Sequence, residues 1–190
     1  MKKYFLRVVA TGCLLLCAQV FAAAFTPGNL VVYRIGDGNA APTNAATAVF
    51  LDEYTPSGTA VQSIAVQTSV SGANRALVAS GTSPGEGLLS RSANGACIVL
   101  TGHNTSVGTA SVSGTTAAAT PRVIGVASAN GSIDTSTSVA NFSTGNIRTA
   151  ASTDCNELWA AGASDGVRYV TKGAVSATAT QISADSTNNR

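Results

Sequence analysis

His103 is the single histidine of the chain. It stands in a Gly-His-Asn-Thr run just after an apolar stretch. An imidazole can act as general base, activate a nucleophile or bind a metal, but each job needs partners at short range. A Ser-His-Asp site on a strand-to-helix elbow would carry G-x-S-x-G, and that motif is missing. The expectation is therefore a solvated loop histidine. The carboxylates read similarly. Asp52 and Glu53 are adjacent, so on a strand they point to opposite faces and make poor partners for one substrate. Asp37, Asp154 and Asp165 fall in turn-forming runs, where a short carboxylate accepts from local backbone. The D-x-D-x-D-G run of a calcium loop is missing. Gly36-Asp37-Gly38 lacks the lysine and following helix of a phosphate loop. No catalytic residue, metal or cofactor is expected.

Candidate binding residues are few. Arg75 recurs as Arg148, 73 residues on. Placed alike in two related strands, they would form part of an arginine ring that holds an anionic ligand. The plainer reading is that each guanidinium bonds loop carbonyls or packs its aliphatic stem. Trp159, Tyr33, Tyr54 and Tyr169 offer either a sugar-stacking platform or ordinary sheet-face packing. Cys97 falls in an apolar run and Cys155 in a turn. Export would permit a disulfide between them. Spacing alone does not bring their Cα atoms within bonding range, so a bridge and two free thiols both stand. A metal site built from the two cysteines and His103 is the weaker reading.

These residues sit on a chain that echoes itself. Residues 73–102 are echoed by 145–173, and 50–66 by 123–139. Asn94-Gly95 maps onto Asp165-Gly166. Both are dipeptides for a tight hairpin, in which both central residues must tolerate positive φ. Pro56-Ser57-Gly58 marks another hairpin, with Gly131 at the equivalent place. Strands are expected at 29–34, 49–54, 60–66, 75–80, 88–91, 97–101, 122–127, 132–139, 147–151, 158–160 and 167–170. Residues 102–121 form either a long loop or a weak strand. The fold class is all-β: tandem antiparallel β-sheet units, propeller-like and incomplete. The domain spans 25–190, with units at 48–121 and 122–173 and the start of a third at 174–190. Ending inside a pattern suggests a truncated chain. Open sheet edges of such a stack invite self-association.

Composition agrees with strands. Only 11% of residues are charged, and β-branched residues, Gly and Asn turns are frequent. The leader holds three of the eleven basic residues, Lys2, Lys3 and Arg7. The remaining eight face nine acidic residues, so no basic footprint for nucleic acid is visible. The leader has a positive start, an apolar core from Val8 to Val20, and Ala22-Ala23-Ala24 as cleavage site before Phe25. A spanning helix would need about 20 apolar residues. Residues 1–24 are thus read as a signal peptide, with no membrane span after its removal and a secreted or periplasmic destination.

The runs FTPGNLVVYRIGDGNA, FLDEYTPSGTAVQSI, SGANRAL, LLSRSANG and DGVRYVTKGA resemble the start of a family of large secreted bacterial proteins of β-propeller-like repeats. The resemblance covers nearly all of the chain after the leader. It implies an exported repeat protein of unestablished role and carries over no catalytic residue. The function expected is a secreted, non-catalytic structural or binding module with no enzymatic activity. The alternatives are a metal-dependent hydrolase- or lactonase-like propeller fragment and a carbohydrate-binding cell-surface protein.

Overall fold

The computed structural model describes residues 23–175 and 179–184. The signal-peptide reading of 1–24 therefore falls almost wholly outside the described residues. So do the middle of the segment expected to open a third unit and the last residues of the chain. The described chain is all-β, with twelve strands and one 3-10 turn at Val112–Gly114. No described helix is long and apolar enough to cross a membrane.

The strands are β1 (Leu30–Ile35), β2 (Ala46–Tyr54), β3 (Ala60–Ala65), β4 (Val78–Ser80), β5 (Ser90–Arg91), β6 (Cys97–His103), β7 (Arg122–Ser128), β8 (Ile133–Val139), β9 (Ile147–Ser152), β10 (Glu157–Gly162), β11 (Val167–Thr171) and β12 (Thr180–Gln181). They form two antiparallel sheets that do not close. The larger has the order β1-β2-β4-β6-β7-β8, with β3 also on β2 and β5 also on β6. The smaller is the meander β9-β10-β11-β12.

Side-chain alternation turns these sheets into three layers. Along β6, Cys97 and Val99 point one way, and Ile98 and Leu100 the other. In β7, Ile124 and Val126 oppose Val123 and Ala127. One face packs Cys97, Val99, Ile124 and Val126 against Ala150, Leu158, Ala160 and Val170 of the smaller sheet. The other packs Leu100, Val123 and Ala127 against Val49, Leu51 and Ile64 of β2 and β3. The larger sheet therefore folds over at β4, which pairs with both β2 and β6. Being covered on both sides explains why β6 and β7 read as nearly continuous apolar runs. Leu77, just before β4, crosses close to β6. A Cβ on Gly102 would lie 2.6 Å from Leu77 Cδ2 and 2.7 Å from the Val78 carbonyl oxygen. Only glycine admits that approach.

The turns follow their sequence with one exception. Asp165 and Gly166 have φ of 66° and 63°, as a tight β10–β11 hairpin requires. At the other hairpin only Gly95 has positive φ, 73°. Asn94 instead uses its side chain, accepting from the Ala96 N–H at 3.0 Å and from the Ser92 hydroxyl at 2.8 Å. The β2–β3 and β7–β8 hairpins both turn on a positive-φ glycine, Gly58 at 86° and Gly131 at 84°.

Pairing groups the strands differently from the sequence echo. β6 and β7 pair along their whole length, from Cys97 with Ser128 to His103 with Arg122. This pairing joins residues on either side of the expected boundary at 121 and 122. Strand β4 begins only at Val78, so Arg75 precedes it. β12 pairs with β11 at the edge of the smaller sheet. Residues 104–121 contain no strand. They wrap the end of β2 and β4, burying Val112 with Ala46 and Val78.

Candidate functional site

His103 is not a solvated loop residue. It ends β6 and is completely buried. Pairing with Arg122 extends β6 beyond its apolar run, which draws the ring into the space between layers. Its Nε2 lies 3.1 Å from Glu86 Oε1, with the two side chains 0% and 1% exposed. The other carboxylate oxygen of Glu86 accepts from the Ser80 N–H at 2.8 Å. Glu86 thus pins the 81–89 loop to both β4 and β6. Next to them the Arg122 guanidinium donates to the carbonyls of Thr120, Thr115 and Gly145. Burial pulls its pKa down to about 10, and the Glu86 charge opposes the shift. At neutral pH Arg122 remains charged. Tyr33 donates to the Thr101 carbonyl at 2.9 Å. Burial, and then Glu86, push its phenol well above the usual value. The dyad is sealed from solvent and fastens the 81–89 loop onto the sheet.

The adjacent carboxylates do face opposite ways. Asp52 lies on the outer face of the first layer, where it receives Arg34 Nε at 2.5 Å and the Ser63 hydroxyl at 2.5 Å. Burial would raise its pKa, but those hydrogen bonds and the guanidinium charge outweigh burial and hold it low. Glu53 points inward and is completely buried. It accepts from the Thr26 N–H at 2.7 Å, from Asn29 Nδ2 at 2.6 Å and from Gln62 Nε2 at 2.6 Å. Burial again works upward, and these donors outweigh it. Glu53 therefore ties the 26–29 segment onto β2. Phe25 continues the attachment through its N–H to the Ala129 carbonyl at 2.8 Å.

The turn aspartates divide. Asp37 accepts from the Asn39 N–H, and Asp154 from the N–H groups of Glu157 and Asn156; those bonds lower both pKa values. Asp165 instead reaches across to the Phe142 N–H at 2.5 Å. Among the described residues, no three His, Cys, Asp or Glu side chains gather as a metal site.

Cys97 of β6 and Cys155 of the β9–β10 turn form a disulfide, with Cα atoms 6.1 Å apart. It joins the middle layer to the third beside three hydrogen bonds, two between backbones and one from a side chain. These are Ala93 N–H to the Ser152 carbonyl, Asn94 N–H to the Thr153 carbonyl, and the Ser90 hydroxyl to the Ala150 carbonyl. The two arginines sit in unlike places. Arg75 bonds β8 through its backbone, its N–H to the Thr135 carbonyl and its carbonyl to the Thr135 hydroxyl. Arg148 lies within β9 beside Gly85 of the 81–89 loop.

The aromatic set also separates. Tyr33 packs inward. Tyr54 lies on the outer face of the first layer. Trp159 and Tyr169 are direct partners across β10 and β11. Their ring centroids are 5.6 Å apart, tilted by 45°. Both point away from the middle layer, because Leu158, Ala160 and Val170 point into it. Their other cross-strand neighbours are Ala151 and Thr180, which are exposed and too small to cover the rings. The Tyr169 hydroxyl donates to the Glu157 carboxylate; that bond, then burial, raises its pKa. This half-exposed aromatic pair with one carboxylate is the arrangement best suited to meet a partner.

Neither the contact of Glu86 with His103 nor the burial of Arg122 was legible. The available signal was weak: a lone carboxylate in the uncharged 76–90 run, and an arginine directly after Pro121. No protein-family model, curated protein or solved structure matches this chain.

Proposed function

We propose that this protein is an exported, non-catalytic module that binds or scaffolds at the cell exterior through an exposed sheet face. One observation carries the reading. The polar groups best suited to chemistry, Glu86 and His103, are consumed in a sealed internal bond, whereas Trp159 and Tyr169 stand on an open face. Aromatic side chains bring large contact area at small entropic cost, so they dominate recognition surfaces.

A second reading, carbohydrate binding, is favoured by the same pair. Two neighbouring rings flanked by small residues, with the Glu157 carboxylate at their rim, suit the apolar face and hydroxyls of a sugar.

The test is a screen of the purified chain for turnover of esters, lactones and glycosides, and for binding to extracellular polysaccharides and to its own copies. Saturable binding that Trp159→Ala removes, without turnover, is expected. Turnover that survives Trp159→Ala and is lost in His103→Gln would overturn the proposal.

A further inference from the structure

We propose that the outer face of the β9–β12 sheet receives the outer face of the β1–β3 layer from a second copy of this chain. This inference rests on the binding reading above and names the partner.

The internal stacking sets the pattern. Strands β5 to β8 and β9 to β12 are successive meanders, with central pairs β6–β7 and β10–β11. In the first, Val99 stands opposite Val126; in the second, Trp159 stands opposite Tyr169. Val99 and Val126 are only 0% and 2% exposed because the third layer sits on them. Trp159 and Tyr169 stand opposite each other on the central strands of the second meander and point away from the middle layer. The rule that covers the valine pair leaves the aromatic pair waiting for another sheet. Ile182, bonded to Val167 just beyond β12, extends this face and is 56% exposed.

The opposite end of the stack supplies a matching surface. Leu30, Val32 and Val61 are 57%, 46% and 47% exposed on the outer side of the first layer. They are apolar side chains on a sheet face, which soluble surfaces usually avoid in clusters. A bulge where the β2–β3 register shifts at Glu53 and Tyr54 opens a shallow hollow of about 410 Å³ there, walled by Tyr54, Val61 and Ser63. The projecting aromatic pair of one copy faces the hollow of the next. The charged groups at both surfaces are already matched, Arg34 with Asp52 in the hollow and Glu157 with the Tyr169 hydroxyl, so the contact falls to the apolar and aromatic side chains. The two surfaces differ, so the contact is head-to-tail. It closes as a ring if the rotation permits and otherwise grows.

The experiment is sedimentation velocity on the full chain as exported, from low to high micromolar concentration. It is read together with the emission of Trp159, the only tryptophan in the chain. Association with concentration and a blue shift of Trp159 are expected. Val32→Glu and Ile182→Glu change exposed positions, so circular dichroism should show both folded. Each variant alone should be monomeric. Mixed, they should form a one-to-one heterodimer, because each retains one intact face. Wild type that stays monomeric, or association that Val32→Glu leaves unchanged, would overturn the proposal. A monomer whose Trp159 emission responds to an oligosaccharide overturns the second-copy partner and leaves the binding reading standing. Turnover of a substrate, as tested above, removes the binding reading itself.

Discussion

The Glu86 carboxylate and the His103 ring meet between layers, Oε1 to Nε2 at 3.1 Å, with almost no exposure to water. Glu86 comes from a loop and His103 from the end of a strand, and the contact fixes one to the other. His103 Nδ1 makes no hydrogen bond to the described residues. The dyad pins the loop to β4 and β6.

Removing Glu86 should be costly. Glu86→Ala leaves the Ser80 N–H and the His103 ring without their acceptor and Arg122 without its nearest counter-charge. A buried polar network broken from one side typically costs about 2–4 kcal/mol. In urea denaturation, Glu86→Ala and His103→Ala should each show a loss of this order. The double variant should lose less than the sum, because the contact is shared.

The Cys97–Cys155 bridge closes a loop with a sequence separation of 58. Chain entropy assigns such a loop about 4 kcal/mol. Cys97→Ala/Cys155→Ala should lower the urea midpoint accordingly, and reductant should shift wild type but not the variant. The loss should be felt between the middle and third layers. Hydrogen exchange at β9 and β10 should then rise more than at β2.

Acid should loosen the first layer. Asp52 and Glu53 are held below their ordinary pKa values in the folded chain. The unfolded chain, with values of about 3.9 and 4.3, binds protons more readily in that range. Their stabilisation is complete above those unfolded values and is lost as pH falls through the lower folded ones. Melting temperature should drop on acidification below about pH 4. Glu53→Gln should flatten that slope at the expense of stability at neutral pH.

Gly102→Ala should destabilise. The new methyl group would meet the Val78 carbonyl oxygen at 2.7 Å as well as Leu77 Cδ2. Backbone cannot rotate aside as a side chain can, so β4 must move away from β6. A loss of about 1–3 kcal/mol in thermal or urea denaturation is expected. Gly114→Ala meets no atom within 4 Å and serves as the neutral control.

Strand identity was legible because it is local. Alternation along ATAVFLDEY, the apolar run CIVLT and the Asp165-Gly166 dipeptide each fix backbone geometry within a few residues. The opposite directions of Asp52 and Glu53 follow from the period of a strand alone. The company these residues keep was not local. Nothing in Gly-His-Asn-Thr says that Glu86, 17 residues earlier, folds back onto the ring. Nothing in the spacing of Cys97 and Cys155 places β9 over β6. The echo of 73–102 in 145–173 likewise says nothing of which neighbours those strands choose. Hydrogen bonding across residues 121 and 122 is decided by which edges are free once the layers stack. Burial, partner and exposure are properties of the assembled layers. The physical reason is that hydrophobic association and charge pairing act through space, whereas strand and turn preferences act along the chain.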